Sequence, residues 1–247
     1  MMKFTYMGLI PKSAATTFHI HPANAEFENV KGRIMSRRDA HHGDAVKLYR
    51  NPKSGHCHRV ELMLALLNVP YQTVDLDMAN GAHKAPDYVK ISPFGQVPAI
   101  EDNGISLSDS NAILVYLADR YGDLNNWAGR DPLERAEVQR WLSVAAGEIF
   151  QGPCSARLAT LFGVPLDHQG AVEKAHALFA VMEARLEGRE WLALERATLA
   201  DIAAYSYIAH APEGGVSLEP YPSIRSWLQN IEALPGFVAM ARSPALA

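Results

Sequence analysis

The spacing of apolar and polar residues predicts alternating strands and helices from residue 46 onward. Val46 to Arg50 alternates apolar and polar positions, which is typical of a short strand, and Asn51 to Gly55 is a turn. Apolar residues then recur at helical spacing, at Val60, Met63, Leu64 and Leu67. Tyr71 to Leu76 predicts a second strand, and the polar stretch Gly81 to Lys90 has room for one irregular helix. The first elements are therefore a strand, a helix, a strand and a helix.

A hairpin and a third helix complete this first part of the chain. Val97 to Ile100 and Ile105 to Leu107 flank Asp102-Asn103-Gly104, and Asn-Gly between two alternating runs is a strong hairpin signal. Asp109-Ser110 follows at positions that helix caps prefer, and an amphipathic helix comes next. Its apolar positions are Ile113, Leu114, Leu117 and Tyr121. Residues 45–122 are therefore predicted to form a small mixed α/β domain.

Strand signals vanish after residue 130, and helical spacing dominates. Pro132 stands at a first-turn position of one helix, and Thr198 to Asp201 resembles a capping box with Asp in place of Glu. We predict an all-helical domain over residues 130–247, joined to the first domain by a linker from Tyr121 to Arg130.

The composition argues against a membrane-spanning, a nucleic-acid-binding and a disulfide-rich protein. The 247 residues are 48% hydrophobic, and no apolar run approaches the roughly 20 residues of a membrane span. The formal net charge is −4 with acidic and basic residues interleaved, so neither nucleic acid nor a membrane is indicated as a partner. Cys57 and Cys154 lie far apart in the chain, which favours a reducing, cytoplasmic location over a disulfide framework.

Residues 1–44 are a separate segment. Phe4 to Ile10 is shorter and more polar than the core of a secretory signal, so we predict a poorly ordered N-terminal extension or an over-long start. The segment holds His19, His21, His41 and His42. No Cys or carboxylate stands at ligand spacing from them, and no metal site is predicted.

Five local features carry a resemblance through their order and spacing. They are Ser54-Gly55-His56-Cys57, Ser92-Pro93-Phe94-Gly95-Gln96-Val97-Pro98, Asp109-Ser110 with Ala112-Ile113-Leu114, Thr198 to Asp201, and Tyr221-Pro222 with Trp227. From Val46 to its C-terminus the chain resembles the cytosolic glutathione S-transferase superfamily, in its bacterial, serine-type form. The resemblance implies a thioredoxin-like N-terminal domain, an all-α C-terminal domain, a role in detoxification, glutathione as co-substrate without a metal, and a homodimer.

The resemblance assigns the catalytic role to Ser54. The thiol of glutathione has a cysteine's reference pKa of about 8.5, so such an enzyme must favour the thiolate at neutral pH. A hydroxyl that donates to the sulfur, at the N-terminal end of a helix, has this effect. Ser54 matches the serine that does so in serine-type classes, and the thiolate then attacks a small electrophile. A helix cap without a catalytic role is the alternative for Ser54.

Cys57 supports a different chemistry. A cysteine in the first turn of a helix has a lowered pKa, and some family members form mixed disulfides with glutathione there. This alternative predicts a glutathione-dependent peroxidase, disulfide reductase or isomerase, with His56 and His58 either tuning the thiol or exposed. A small buried residue that faces the sheet is the simpler interpretation of Cys57. A further hypothesis is a non-catalytic glutathione-binding or scaffolding protein.

The resemblance also implies which residues bind the rest of the tripeptide. Val97 offers its backbone N–H and C=O to the cysteinyl part, next to a cis Pro98. Asp109 pairs with the γ-glutamyl ammonium, and Ser110 holds the adjacent carboxylate. The alternative for Val97-Pro98 is the entry to the hairpin, and the alternative for Asp109-Ser110 is a helix cap.

The glycyl end and the second substrate are less well defined. His83 and Gln96 match positions at the glycyl carboxylate, although His83 also fits an exposed loop. Gln96 stands where other members have Lys, so weaker glycyl recognition is expected. The candidates for the electrophile pocket are Trp141, Phe150, Arg157 and Phe162, each of which also fits a core position.

Overall fold

Four strands form one mixed sheet. The computed structural model describes residues 45–243, and the predicted extension 1–44, with its four histidines, lies outside this part. The strands are β1 (Val46–Arg50), β2 (Tyr71–Asp75), β3 (Ala99–Asp102) and β4 (Ile105–Ser108). They lie in the order β2-β1-β3-β4, with β1 parallel to β2, and β3 antiparallel to both β1 and β4. This sheet confirms the mixed α/β, thioredoxin-like architecture predicted for the first part of the chain.

The turn between β3 and β4 confirms the hairpin signal. Asn103 and Gly104 have φ angles of 49° and 80°, and the residues that flank them, Asp102 and Ile105, pair with each other. Positive φ at both central residues is what a two-residue hairpin turn of type I′ requires, and Asn-Gly adopts it at low cost.

Helices lie both before and after residue 122 of the described chain. Those of the first part are α1 (Gly55–Leu66), α2 (Pro86–Ile91) and α3 (Ser110–Tyr121). The later ones are α4 (Leu124–Ala128), α5 (Pro132–Ala146), α6 (Ser155–Phe162), α7 (His168–Leu186), α8 (Leu199–Ala209) and α9 (Pro222–Glu232). The predicted linker contains α4, and a π-helical turn, Phe150–Cys154, joins α5 to α6. Between residues 45 and 243, no helix is both long enough and apolar enough to cross a membrane.

Helix α8 lies at the centre of the hydrophobic core. Every residue from Leu199 to Ile208 is buried, and α8 packs against α1, α3, α5 and α9. Core residues of the sheet, such as Leu48 at 0% exposure, belong to the same apolar cluster as Trp227 of α9. The α/β part and the helical part therefore share one continuous core.

A buried carboxylate fixes the start of α8. Asp201 has no exposed surface and accepts hydrogen bonds from the backbone N–H of Thr198 and of Leu192, each at 2.9 Å. It also accepts from the indole N–H of Trp227 at 2.9 Å and from the Thr198 hydroxyl at 3.0 Å. The predicted capping box is therefore present, and its carboxylate additionally joins α8 to α9.

We expect Asp201→Ala to lower the free energy of unfolding by about 3 kcal/mol, because it leaves several buried donors without an acceptor. Urea unfolding at neutral pH measures this change. Asp119→Ala, which removes an exposed carboxylate of α3, is the control and should change stability by less than about 0.5 kcal/mol. Equal effects of the two substitutions would contradict the structural role of Asp201.

Candidate active site

A cavity of about 620 Å³ opens where the start of α1, the loop before β3 and the start of α3 meet the helical part. Its wall contains all the residues that the sequence resemblance assigned to glutathione: Ser54, His83, Gln96, Val97, Pro98, Asp109 and Ser110. They come from separate segments of the chain, and the fold brings them to one concave surface. A concave surface on which polar groups converge between apolar side chains is typical of a small-molecule site.

Ser54 is the N-cap of α1. Its Oγ accepts the backbone N–H of Cys57 at 3.4 Å, and its carbonyl accepts the N–H of His58 at 2.9 Å. Because Oγ is the acceptor in this bond, the hydroxyl hydrogen remains available to donate to a group in the cavity. The helix dipole favours an anion at the same place. Capping and donation to a ligand are therefore compatible roles for this one hydroxyl.

The helical part of the chain holds the turn that precedes Ser54. Arg157 of α6 is 1% exposed, and its Nη1 donates to the carbonyl of Lys53 at 2.5 Å. Its Nε donates to Glu213 at 2.6 Å, so the guanidinium is oriented by an ion pair. Arg157 is separated from Ser54 by more residues than the whole sheet spans. The position of Ser54 thus depends on a side chain that is distant in sequence.

Tyr207 of α8 contacts the first turn of α1 directly. Its hydroxyl accepts the N–H of His56 at 3.4 Å, and a Cβ on Gly55 would lie 2.9 Å from its ring. Gly55 is therefore required by close packing between α1 and α8. The His56 ring lies edge-on to Tyr207 at 4.9 Å, and burial lowers the pKa of His56 to about 3. His56 is accordingly a neutral group at physiological pH.

Cys57 is a buried thiol. It is 1% exposed, its Sγ accepts the N–H of Asn51 at 3.4 Å, and burial raises its pKa to about 11. The lowered pKa expected by the alternative cysteine chemistry is therefore wrong, because loss of hydration outweighs the helix terminus. The expectation of an exposed His58 is also wrong, since its ring nitrogens bond to Ser206 and to the carbonyl of Val238.

The loop before β3 presents Val97 at the cavity. The Val97–Pro98 peptide bond is cis, as the resemblance implied. The Gln96 carbonyl accepts the hydroxyls of Tyr88 at 2.7 Å and Ser92 at 2.8 Å, which anchors the loop. Pairing between β1 and β3 begins at Ala99, so Val97 lies beyond the ladder, where an extended ligand can add to it.

Asp109 and Ser110 begin α3. Asp109 has a φ of 76°, an uncommon value for a residue with a side chain, and its Oδ1 accepts the N–H of Ala112 at 2.9 Å. Ser110 is 6% exposed and lies in the cavity wall beside the first turn of α3. A carboxylate oxygen, a hydroxyl and a helix N-terminus are thus adjacent, which suits a ligand that carries both charges.

A further polar region of the cavity wall contains His83 and Lys84, of which Lys84 was not predicted from the sequence. His83 lies in a 3₁₀ turn, and Gly95, with φ 56°, approaches it so closely that a Cβ would lie 2.7 Å from the His83 carbonyl. Lys84 also lines the cavity, and its Nζ donates to the Phe94 carbonyl at 3.1 Å. A positive charge is therefore available near Gln96, although Gln96 itself carries none.

The apolar wall contains most of the predicted electrophile-pocket residues. Phe150, Arg157 and Phe162 line the cavity, and the two phenylalanines are partly exposed. Trp141 does not line it. That expectation is wrong, because Trp141 is 5% exposed and its helical spacing directs it into the shared core.

Arg59 and Asn111 also lie in the cavity wall and were missed. The residues three and four positions after Arg59, Leu62 and Met63, are both buried. A charged residue on the apolar face of a predicted helix is the sequence signal that could have identified it. Among residues 45–243, no three His, Cys, Asp or Glu side chains come close enough together to hold a metal ion.

We expect the folded protein to resist alkylation at Cys57. A pKa of about 11 leaves about one thiol in a thousand as the reactive thiolate at pH 8, and the raised value favours the neutral form at every lower pH. Iodoacetamide labelling at pH 8, read by peptide mass spectrometry, should modify Cys57 only after denaturation. Labelling of the folded protein at the rate of a free cysteine would instead support the cysteine chemistry.

Comparison with known proteins finds relatives that match both parts of the chain. The N-terminal domain model of glutathione S-transferase matches residues 44–119, and the C-terminal domain model matches residues 167–235. Glutathione S-transferase D7 of Anopheles gambiae is 32% identical over 74% of this chain and 84% of its own length. Glutathione S-transferase F13 of Arabidopsis thaliana is 30% identical over 80% of this chain and 95% of its own length.

A solved structure extends the likeness to the whole described fold. The glutathione S-transferase from Pseudomonas fluorescens is 30% identical, with a TM-score of 0.73, over 80% of this chain and 99% of its own. Sequence and structure therefore agree for both parts of the molecule, and the chain belongs to the glutathione S-transferase family of enzymes.

Proposed function

We propose that this chain is a serine-type glutathione transferase in which the Ser54 hydroxyl donates a hydrogen bond to the glutathione thiolate. The observation that carries the proposal is that Ser54 Oγ already accepts the N–H of Cys57, which leaves its hydrogen for the ligand. The thiolate is favoured twice, by this donor and by the N-terminal end of α1. Its pKa falls accordingly, and it attacks a small electrophile held beside it.

The remaining polar groups support binding of the tripeptide along the cavity. The backbone of Val97 suits the cysteinyl unit as an added strand would. Asp109 and Ser110 suit the ammonium and carboxylate of the γ-glutamyl group. His83 and Gln96 are assigned to the glycyl carboxylate, and Lys84 supplies the charge that Gln96 lacks.

The wall beside Ser54 supports an apolar second substrate. Phe150 and Phe162 are 43% and 42% exposed, large values for phenylalanines on a cavity wall. Leu158 and Val164 extend the same surface. A small electrophile with an aromatic or alkyl body would bury this area on binding.

The cysteine-based reductase and the non-catalytic binder gain less support. Cys57 is enclosed, and its thiol is neutral at physiological pH. Both Cys57 and Cys154 are free and buried, in keeping with the cytoplasmic location that the sequence favours. The available Ser54 hydroxyl favours a catalyst over a scaffold that only binds glutathione.

We expect glutathione bound to the wild-type protein to titrate with a thiol pKa clearly below the reference value of about 8.5. Ser54→Ala should return the pKa towards that value and lower kcat on the order of 10²-fold, as expected for the loss of one donor to a developing anion. The ultraviolet absorbance of the glutathione thiolate, followed against pH, measures the change in the pKa. Conjugation of an aromatic halide measures the change in kcat.

Ser54→Thr is the matched control, because it keeps both the hydroxyl and the cap and should retain the lowered pKa. Cys57→Ala should leave kcat within a few-fold of wild type. Loss of activity in Cys57→Ala together with tolerance of Ser54→Ala would reverse the assignment.

We also propose a homodimer in which the α/β part of one subunit meets the helical part of the next. Phe94 supports this homodimer, because its side chain is 79% exposed in a loop next to the site. Exposure of so large an apolar side chain to water is unfavourable unless a partner covers it. Phe94→Ser should shift the mass found by size exclusion with light scattering from two chains towards one, with an unchanged circular dichroism spectrum. An unaltered dimer in this variant would exclude Phe94 from the interface.

A further inference from the structure

Residues 237–243, here called the C-terminal segment, follow α9 without helix or strand. The segment is packed onto the protein: the Phe237 ring lies edge-on to Tyr205 of α8, with the ring centroids 5.5 Å apart, and Met240 is buried. Within the described chain, none of its residues lines the cavity. Any effect of this segment on the reaction must therefore pass through other residues.

The first anchor of the C-terminal segment is His58, on the first turn of α1. Its Nε2 donates to the Val238 carbonyl at 2.9 Å, because a carbonyl can only accept. Burial lowers the pKa of His58 to about 4, so the ring is neutral, and its Nδ1 accepts the hydroxyl of Ser206 at 2.9 Å. The backbone N–H of His58 donates to the Ser54 carbonyl, also at 2.9 Å. One residue thus contacts both the segment and Ser54.

The second anchor is Glu213, in the 3₁₀ turn after α8. Its carboxylate is buried and accepts the backbone N–H of Ser243 at 2.8 Å, the Nδ1–H of His210 at 2.7 Å and the Nε–H of Arg157 at 2.6 Å. A buried carboxylate with three donors has a defined orientation. Because Arg157 also donates to the Lys53 carbonyl, Glu213 links the C-terminal segment to the residue before Ser54.

The two anchors act on neighbouring carbonyl groups. The carbonyl of Lys53 belongs to the peptide plane before the Cα of Ser54, and the carbonyl of Ser54 belongs to the plane after it. The φ and ψ angles of Ser54, −89° and 120°, are the rotations between these two planes. Holding both carbonyls therefore fixes both rotations, and with them the direction of the Ser54 side chain.

We propose that the C-terminal segment is a strap that holds Ser54 in its catalytic orientation, with His58 and Glu213 as positioning residues. The inference rests on the proposed function, since it concerns the bond from Ser54 to the thiolate. Release of the strap leaves the cavity wall in place, so glutathione still binds, but the hydroxyl donates with poorer geometry. Because small misplacements of a reacting group are costly, the conjugation step slows.

A pair of substitutions at Ser243 tests the Glu213 anchor. Ser243→Pro removes the N–H that Glu213 accepts, and Ser243→Ala keeps it. In Ser243→Pro the pKa of the bound glutathione thiol should rise by about 0.5, roughly a 3-fold weaker ionisation. We expect kcat to fall roughly 3- to 10-fold and KM for glutathione to stay within about 2-fold of wild type. Ser243→Ala should match the wild type in all three.

A pair at His58 tests the other anchor and remains informative if Ser243→Pro does not fold. His58→Leu removes the donor to Val238, whereas the amide of His58→Gln can reach the same carbonyl. The leucine variant should show the same rise in thiol pKa and fall in kcat, and the glutamine variant should restore both. Thermal unfolding identifies which variants are folded at the assay temperature. Equal losses in the two folded variants would contradict the role of the Val238 contact.

The same measurements separate the strap from the proposed function. Wild-type protein in which bound glutathione keeps the reference thiol pKa would overturn both. A lowered thiol pKa that requires Ser54 but is the same in folded Ser243→Pro, in folded His58→Leu and in the wild type would overturn the strap alone.

Discussion

The site depends on the hydrogen bond from the Arg157 guanidinium to the carbonyl of Lys53. This bond attaches the turn before Ser54 to α6. It thereby fixes the position of the Ser54 hydroxyl, at the N-terminal end of α1, relative to the cavity. Arg157 is in turn oriented by Glu213, which also accepts the backbone N–H of Ser243 at 2.8 Å. A serine near the start of the described chain is therefore positioned by residues near its end. Since the buried ion pair leaves little freedom to the guanidinium, the turn is held with defined geometry.

Two serines in the cavity wall, Ser54 and Ser110, share one arrangement. In each, the oxygen accepts from an N–H of the protein: the backbone of Cys57 for Ser54 and the Arg59 guanidinium for Ser110. A hydroxyl has one hydrogen, and when its oxygen is engaged as acceptor that hydrogen goes to another group. Both hydroxyls are thereby prepared as donors. This polarity suits a ligand that brings a thiolate to one and a carboxylate to the other.

The sequence predicted those features that interactions between neighbouring residues determine. The Asn103-Gly104 turn and the capping box at Thr198 follow from local backbone preferences, and the residues before β3 and at the start of α3 that line the cavity belong to local motifs. The failures concern burial. The raised pKa of the Cys57 thiol and the enclosure of Arg59 both concern α1, which α8 contacts from more than a hundred residues away. Spacing alone cannot distinguish a helix face that meets solvent from one that meets another helix.

The close approach of Tyr207 to Gly55 has a consequence for how the enzyme can vary. With no space for even a methyl group at that contact, α1 and α8 act as matched surfaces, and the apolar cluster runs through both. A hybrid that joins the α/β part of one relative to the helical part of another would inherit two surfaces shaped for different neighbours. Exchange of the helical part between relatives is therefore constrained where α8 meets α1, and recombination would have to carry α8 along with α1.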